Sequence, residues 1–264
     1  MGRVGRALIW HELLERTRDR WVLVISLLFA LLATGVSLYG RSAELDAARL
    51  TGPSLVTLTA LLVPLVAMVL SHDAIVGERE RNTLGLLLSL PVSRLEVVIA
   101  KFIGRALALT ASVVAGLGVA MLVSDSAGVL TLLRLLGPTL LLGLAFLSIG
   151  MLISASTRRQ VTAASVVVIA WFLLVFFYDL GLLGLLVVSD GAISQDAISA
   201  LVLANPAGLF RIQMMQAFAG PEVLRELGMT ATLPGVGTIA LLWLAWLLLP
   251  TLCSGILLSR EKVA

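Results

Sequence analysis

With 264 residues, 59% of them apolar and only 13% charged, and a mean hydropathy of +1.05, the chain lacks the polar residues needed to coat a water-soluble globule of this size, and it reads as a membrane protein. The net charge of +3 does not mark a nucleic-acid binder, because the basic residues sort by membrane side instead of forming one patch. Two His and one Cys, with Cys253 inside an apolar stretch, exclude a disulfide framework and a Cys-rich metal site.

Residues 1–20 carry Val4, Ala7, Leu8, Ile9, Trp10, Leu13 and Leu14 interleaved with arginines and glutamates at roughly helical spacing, which predicts an interfacial helix. The apolar run that follows, residues 21–39, is about a full span in length and exceeds a signal-peptide core, so the segment is expected to be retained. Further spans are predicted at 55–71, with Pro64 as a kink, and at 97–123, 132–154, 161–178 and 236–258. Six helices result, each long enough to cross about 30 Å of hydrocarbon at about 1.5 Å per residue. Fourteen of the nineteen lysines and arginines then fall on one side with both termini; only Arg41, Arg49, Arg134, Arg211 and Arg225 fall on the other. That asymmetry puts the first side in the cytoplasm.

Two connections differ from the rest. In residues 73–97, Glu78, Arg79, Glu80 and Arg81 precede Leu84, Leu87 and Leu88, which share one face of a possible short helix. Pro91 forces a turn, and Ser93 with Glu96 fits a capping box that starts the next helix. His72 and Asp73, just before it, are read as interfacial anchors. The second connection, residues 179–235, opens with the apolar LGLLGLLVV, passes through SDGAISQDA and later carries NPAGLFRIQMMQAF. It is too short for a domain and too apolar for a free linker, so short helices lying on or dipping into the outer leaflet are expected. Without repeats, low-complexity tracts or a dividing linker, residues 1–264 form a single domain. The predicted fold class is all-α, with six transmembrane helices, an N-terminal interfacial helix, a cytoplasmic coupling helix and short outer-face helices.

Catalytic patterns are missing from the sequence. It has no G-x-x-x-x-G-K-[ST] phosphate loop, no H-E-x-x-H pair and no G-x-S-x-G elbow, and its only histidines are His11 and His72. No catalytic residue, metal ligand or bound cofactor is assigned, and any energy from ATP must come through another subunit. Arg105, near one end of a span, is among few ionisable groups there. Met214 and Met215 invite a Cu(I) reading, but adjacent helical residues point about 100° apart and no His or Cys lies nearby in sequence, so packing is favoured. Asn205 and Pro206 read as the start of an outer helix.

The segment GERERNTLGLLLSLPVSRLEVVIAK resembles the cytoplasmic-loop signature of ABC-2 type permease subunits, carried here by Gly77, Glu78, Arg79, Glu80, Thr83, Leu84, Leu87, Leu88, Pro91, Val92, Ser93, Arg94 and Lys101. With Arg81, the residues from Gly77 to Arg94 in this set are the expected ATPase-coupling site. Mixed charges there would set register with a partner, and the leucines would fill an apolar cleft. Closure of the ATPases would then push the second and third helices. A narrower resemblance, in the opening helix and span and in NPAGLFRIQMMQ, is to the branch of this family that supports copper-site maturation of nitrous oxide reductase. The resemblance implies an inner-membrane permease working as two copies with two cytoplasmic ABC ATPase subunits, which carry the ATP and Mg. It also implies a periplasmic copper-handling partner, for which Asn205, Pro206, Arg211, Met214 and Met215 are the contact candidates. An ABC-2 exporter of a drug, ion or lipid shares the same loop, and a non-transport membrane assembly scaffold is the alternative from another class.

Overall fold

A computed structural model describes residues 3–17, 26–27, 30–31, 34–35, 47–124, 126–190, 192–218 and 234–261, among which helices account for nearly all regular structure and no strand occurs. In chain order the elements are α1 (Arg3–Thr17), α2 (Ala47–Ser71), α3 (Val76–Glu80), α4 (Leu84–Leu88), α5 (Arg94–Val123), α6 (Ser126–Ser156) and α7 (Gln160–Phe172). A π-helical segment, Leu173–Phe177, joins α7 to α8 (Tyr178–Val188), and α9 (Gln195–Leu203), α10 (Pro206–Phe218) and α11 (Val236–Ser259) complete the set.

Among the described residues, five helical runs are long and apolar enough to span a membrane: Ser54–Glu80, Arg94–Val123, Gly128–Ser156, Gln160–Val188 and Val236–Ser259. They coincide with the second to sixth spans expected from the sequence; most of the first, residues 21–39, lies outside the described residues. A multi-pass membrane protein follows from these lengths alone.

The central helix is α6, which packs on α2, α5, α10 and α11. Glycines allow the closest of these approaches. At Gly150 a Cβ would stand 3.2 Å from the Met68 backbone and against the Ser71 hydroxyl, and one heptad earlier a Cβ on Gly143 would stand 3.2 Å from Val63. Small residues at such crossings bring helix backbones into van der Waals contact, which is what holds helices together where lipid offers no hydrophobic gain. Met68, Leu109, Leu142, Phe146, Leu147, Met151 and Phe210 fill the interior around α6.

Two expectations are corrected here. The span expected to end at Tyr178 continues through the π segment to Val188, giving a run of 29 residues, roughly 44 Å at about 1.5 Å per residue. Asp179 does not end the helix, because its carboxylate is paired with Arg211. Asp73 is no interfacial anchor either: it is buried and paired with Arg105, while His72 Nδ1 donates locally to the Val69 carbonyl at 2.6 Å.

Beyond α8, Asp196–Leu203 and Pro206–Ala217 are bent by 110°. Asn205 sits at the corner, its side chain donating to the Leu174 carbonyl at 2.6 Å and accepting the Ala207 N–H at 3.0 Å. Leu209, Phe210 and Met214 of α10 are buried, so this arm enters the bundle. The residues 219–233 of the expected outer region are outside the described set.

Candidate coupling surface

The end of the bundle where α1, α3, α4 and the last turn of α11 meet is built around the segment 72–94. Backbone bonds from His72, Ala74 and Gly77 to Met68, Ser71 and Asp73 carry the chain out of α2 in continuous turns. The first free N–H groups of α3 have no local cap. Ser154 of α6 supplies one, its buried hydroxyl accepting from Ile75 N at 2.9 Å and Val76 N at 3.1 Å. After α3 the chain turns at Asn82, whose φ of 56° is a left-handed conformation that Asn tolerates better than most residues. Thr83 closes this turn by donating its hydroxyl to the Glu78 carboxylate and its N–H to the Glu78 carbonyl at 3.0 Å. Past α4, Val92 N reaches back to Leu90 O at 2.7 Å around Pro91. The capping box is present as the sequence suggests: Ser93 Oγ accepts Glu96 N at 3.1 Å, and Glu96 accepts Ser93 N at 3.0 Å.

Three charged residues of this segment, Arg79, Glu80 and Arg94, each hold the end of a different helix. Arg79 donates to the Ala155 carbonyl at 3.2 Å and to the Thr157 carbonyl, at the C-terminus of α6, and pairs with Glu261 at 2.5 Å. Glu80 accepts Gln160 N at 2.8 Å, placing a carboxylate on the N-terminus of α7. Arg94 reaches the Leu258, Ser259 and Glu261 carbonyls at 2.8, 2.9 and 2.6 Å, past the end of α11. Anions at helix N-termini and cations at C-termini satisfy the orphan backbone groups and oppose the helix dipole. Arg81 is the outlying member: its Nε donates to Gly77 O at 3.2 Å and its side chain, 54% exposed, lies 3.6 Å from Glu15.

Beneath this layer lies a buried ionic network that draws on four parts of the chain. Lys101 and Arg105, one helical turn apart on α5, are 2% and 1% exposed. Lys101 Nζ pairs with Glu12 of α1 and, at 2.9 Å, with Glu78 of α3. Arg105 donates to Asp73 at 2.8 Å and to the Leu70 carbonyl at 2.8 Å, and its Nε lies 3.4 Å from Glu12. In so little water the hydrogen-bonded pairs, Lys101 with Glu12 and Glu78 and Arg105 with Asp73, are directional, and loss of one partner strands a buried charge. Sequence reasoning missed this cluster. The signal was the i, i+4 spacing of Lys101 and Arg105 at the edge of a span, where cations need partners.

The leucines are divided differently from the expectation. Leu84, Leu87 and Leu88 do share a face of α4, but that face is turned to the bundle: Leu84 is buried and Leu88 packs on the core. A one-turn helix has only one such face to give, and the bundle takes it. Leu86, 72% exposed, and Leu90 project outward instead. The segment therefore combines an inner side that grips five helices with a small apolar tip. Pushing on the tip would move those helix ends together, which is mechanical and not catalytic chemistry.

At the first turn of α8, Arg211 pairs with Asp179 and donates to Val175 O at 3.3 Å. Among the outer candidates, Asn205, Pro206 and Met214 are buried in the chain's own packing, while Arg211 and Met215 remain partly exposed. No group of three or more His, Cys, Asp or Glu that could hold a metal is found among the described residues.

Residues 6–263 match the family described as ABC-2 family transporter protein. A protein of Stutzerimonas stutzeri described as "Probable ABC transporter permease protein NosY" is 36% identical over 259 residues, covering 90% of this chain and 93% of the relative. A protein of the same description from Pseudomonas aeruginosa is 35% identical over 246 residues, covering 89% of each.

Proposed function

The chain belongs to the ABC-2 family of transporter permeases, and from that premise we propose that it couples ATP hydrolysis by a cytoplasmic partner to transport or force transfer across the inner membrane. Its relatives are named as permease subunits, a non-catalytic role. The observation that carries the reading is the segment 76–94, whose charged side chains hold α5 and the ends of α6, α7 and α11 while Leu86 and Leu90 face outward. A load applied to that tip is shared by the whole end of the bundle. The bias of lysines and arginines toward this side of the predicted spans supports a cytoplasmic location for it.

In this reading six spans cross the membrane, residues 21–39 supplying the first, and α1 lies at the interface. Two copies assemble with two ABC ATPase subunits, which bind ATP and Mg. The narrower assignment is service to copper-site maturation of nitrous oxide reductase, with a periplasmic copper-handling protein on the far side. It is supported by the similarity to two proteins named NosY over about 90% of the chain. Arg211 and Met215 are the contact candidates still partly exposed there.

The test is co-purification of the detergent-solubilised chain with the ABC ATPase of its own genome, using wild type and a Leu86→Asp, Leu90→Asp variant checked for equal insertion. Wild type is expected to retain the ATPase and the variant to lose it. A wild-type chain that binds no ATPase overturns the coupling reading. A deletion strain with wild-type levels of copper-loaded reductase overturns the narrower assignment and leaves an exporter of a drug, ion or lipid as the reading.

A further inference from the structure

The last span, α11, carries Pro250 inside its run from Val236 to Ser259. Proline has no N–H to give the carbonyl four residues back, so the helix ladder leaves Trp246 O without its backbone donor. A neighbouring helix supplies one: the buried Ser148 hydroxyl of α6 lies 2.7 Å from Trp246 O and 2.6 Å from its own Ala145 O. One hydroxyl carries one proton. Ala145 O already has an N–H within the α6 ladder, so the proton stabilises most at Trp246 O. Two further hydroxyls near the proline bond back along the same helix, Thr251 to Leu247 O and Ser254 to Pro250 O, each at 2.7 Å. Back-bonding of this kind weakens and bends helices, and it adds to the missing bond at Pro250.

The parts of α11 on either side of Pro250 are held by different neighbours. Before it, Trp243, 3% exposed, donates its Nε1–H to Gln213 of α10 at 3.1 Å, and Ser148 ties Trp246 to α6. After it, Gly255 lies so close to α5 that an added Cβ would stand 2.7 Å from Leu95 Cδ1. The end of the helix is gripped by the coupling segment, through Arg94 on the Leu258 and Ser259 carbonyls and Arg79 on Glu261. A weak point with separate anchors on each side is what a hinge requires.

We propose that α11 is hinged at Pro250 and that Ser148 is the positioning residue of the hinge: it keeps residues 236–249 on α6 while residues 251–259 swing with the coupling segment. The proposal rests on the coupling reading above and names the place along α11 where that motion stops.

The experiment uses the full complex of this chain with its ATPase subunits, reconstituted in nanodiscs with one spin-labelled copy of the chain per complex, in a Cys253→Ala background. Each sample carries Leu130→Cys on α6 with either Leu241→Cys before the hinge or Ile256→Cys after it, all three being exposed positions. Distances are measured without nucleotide and after trapping with ATP and vanadate. In wild type the distance from 130 to 241 is expected to keep its centre on trapping, while that from 130 to 256 shifts by more than the width of its resting distribution. In Ser148→Ala the thermal midpoint is expected to fall and the distance from 130 to 241 to shift as well. Adding Pro250→Ala gives Trp246 O a backbone donor again, so the double variant is expected to regain the midpoint while its two distances change together or not at all. A double variant that regains both the midpoint and the wild-type difference between the two distances overturns the proposal, because a purely structural tie would restore both. A wild type whose two distances move together, or do not move, overturns it without any variant, as does a Ser148→Ala chain in which the distance from 130 to 241 stays fixed. If no ATPase co-purifies with wild type, the coupling reading falls and this inference falls with it; retention of the ATPase with any overturning distance result removes only the inference.

Discussion

Glu12 of α1 and Gly104 of α5 are in contact so close that a Cβ added at Gly104 would stand 2.5 Å from the Glu12 Cβ, 3.2 Å from Ile9 O and 3.4 Å from Leu13 N. Backbone atoms cannot yield to a new side chain, so Gly104→Val must lift α1 from α5. Overpacking of this kind costs about 1–3 kcal/mol, and here it is relieved by undocking a terminal helix. Limited trypsin digestion of membranes should cut at Arg6 or Arg16 many times faster in Gly104→Val than in wild type. Equal cutting would mean that α1 does not depend on this contact.

Ser154→Ala is expected to loosen the exit from α2. The substitution leaves the N–H groups of Ile75 and Val76, both buried residues, without the acceptor that α6 provides. An unmet buried donor costs about 1–3 kcal/mol, so the thermal midpoint in detergent should fall by several degrees. Ser156→Ala, two residues on, removes only an exposed residue's bond to Ile153 O at 2.9 Å and should leave the midpoint in place. Equal midpoints for the two variants would remove Ser154 from the account of how the segment is held.

How far the sequence alone reaches can be judged from these same residues. The spans at 55–71, 97–123, 132–154 and 236–258 were readable because a membrane helix is decided by local composition. The Ser93–Glu96 box and the turn at Pro91 were readable because their partners are three residues apart or fewer. The network was not, since Glu12 meets Lys101 across 89 positions and Asp73 meets Arg105 across 32. The same blindness misplaced the end of the fifth span. A lone Asp179 after an apolar run looks like an exit into water, and only the fold shows Arg211, 32 residues later, neutralising it. The face of α4 was readable as a face, but its direction depends on the bundle it packs against.

Asn205 should behave as the pin of the bent pair α9 and α10. Its side chain joins the corner to Leu174 in the π segment and caps the N–H of Ala207, and it is 1% exposed. Asn205→Ala removes a donor and an acceptor together and leaves the Leu174 carbonyl and the Ala207 N–H unmet. Hydrogen exchange over residues 173–177 and 206–210 should then speed up by roughly tenfold or more, the equivalent of about 1.4 kcal/mol of local opening free energy. Exchange that quickens at 206–210 alone would show that the corner is capped locally and is not tied to the π segment.

Arg94 tests whether the end of α11 belongs to the coupling segment. All three of its carbonyl partners, Leu258, Ser259 and Glu261, are reached by one nitrogen, Nη1, at 2.6–2.9 Å. A planar fork is therefore not essential here, and an ammonium with three donors can meet the same carbonyls if its stem extends far enough. Arg94→Lys should keep most of the amide protection at 258–261, whereas Arg94→Gln, with neither the charge nor the reach, should lose it. The same loss should lower ATPase-driven output in the assembled complex, since a frayed α11 no longer moves with the segment. Protection lost in Arg94→Gln with output intact would remove α11 from the path of force and leave α5, α6 and α7 to carry it.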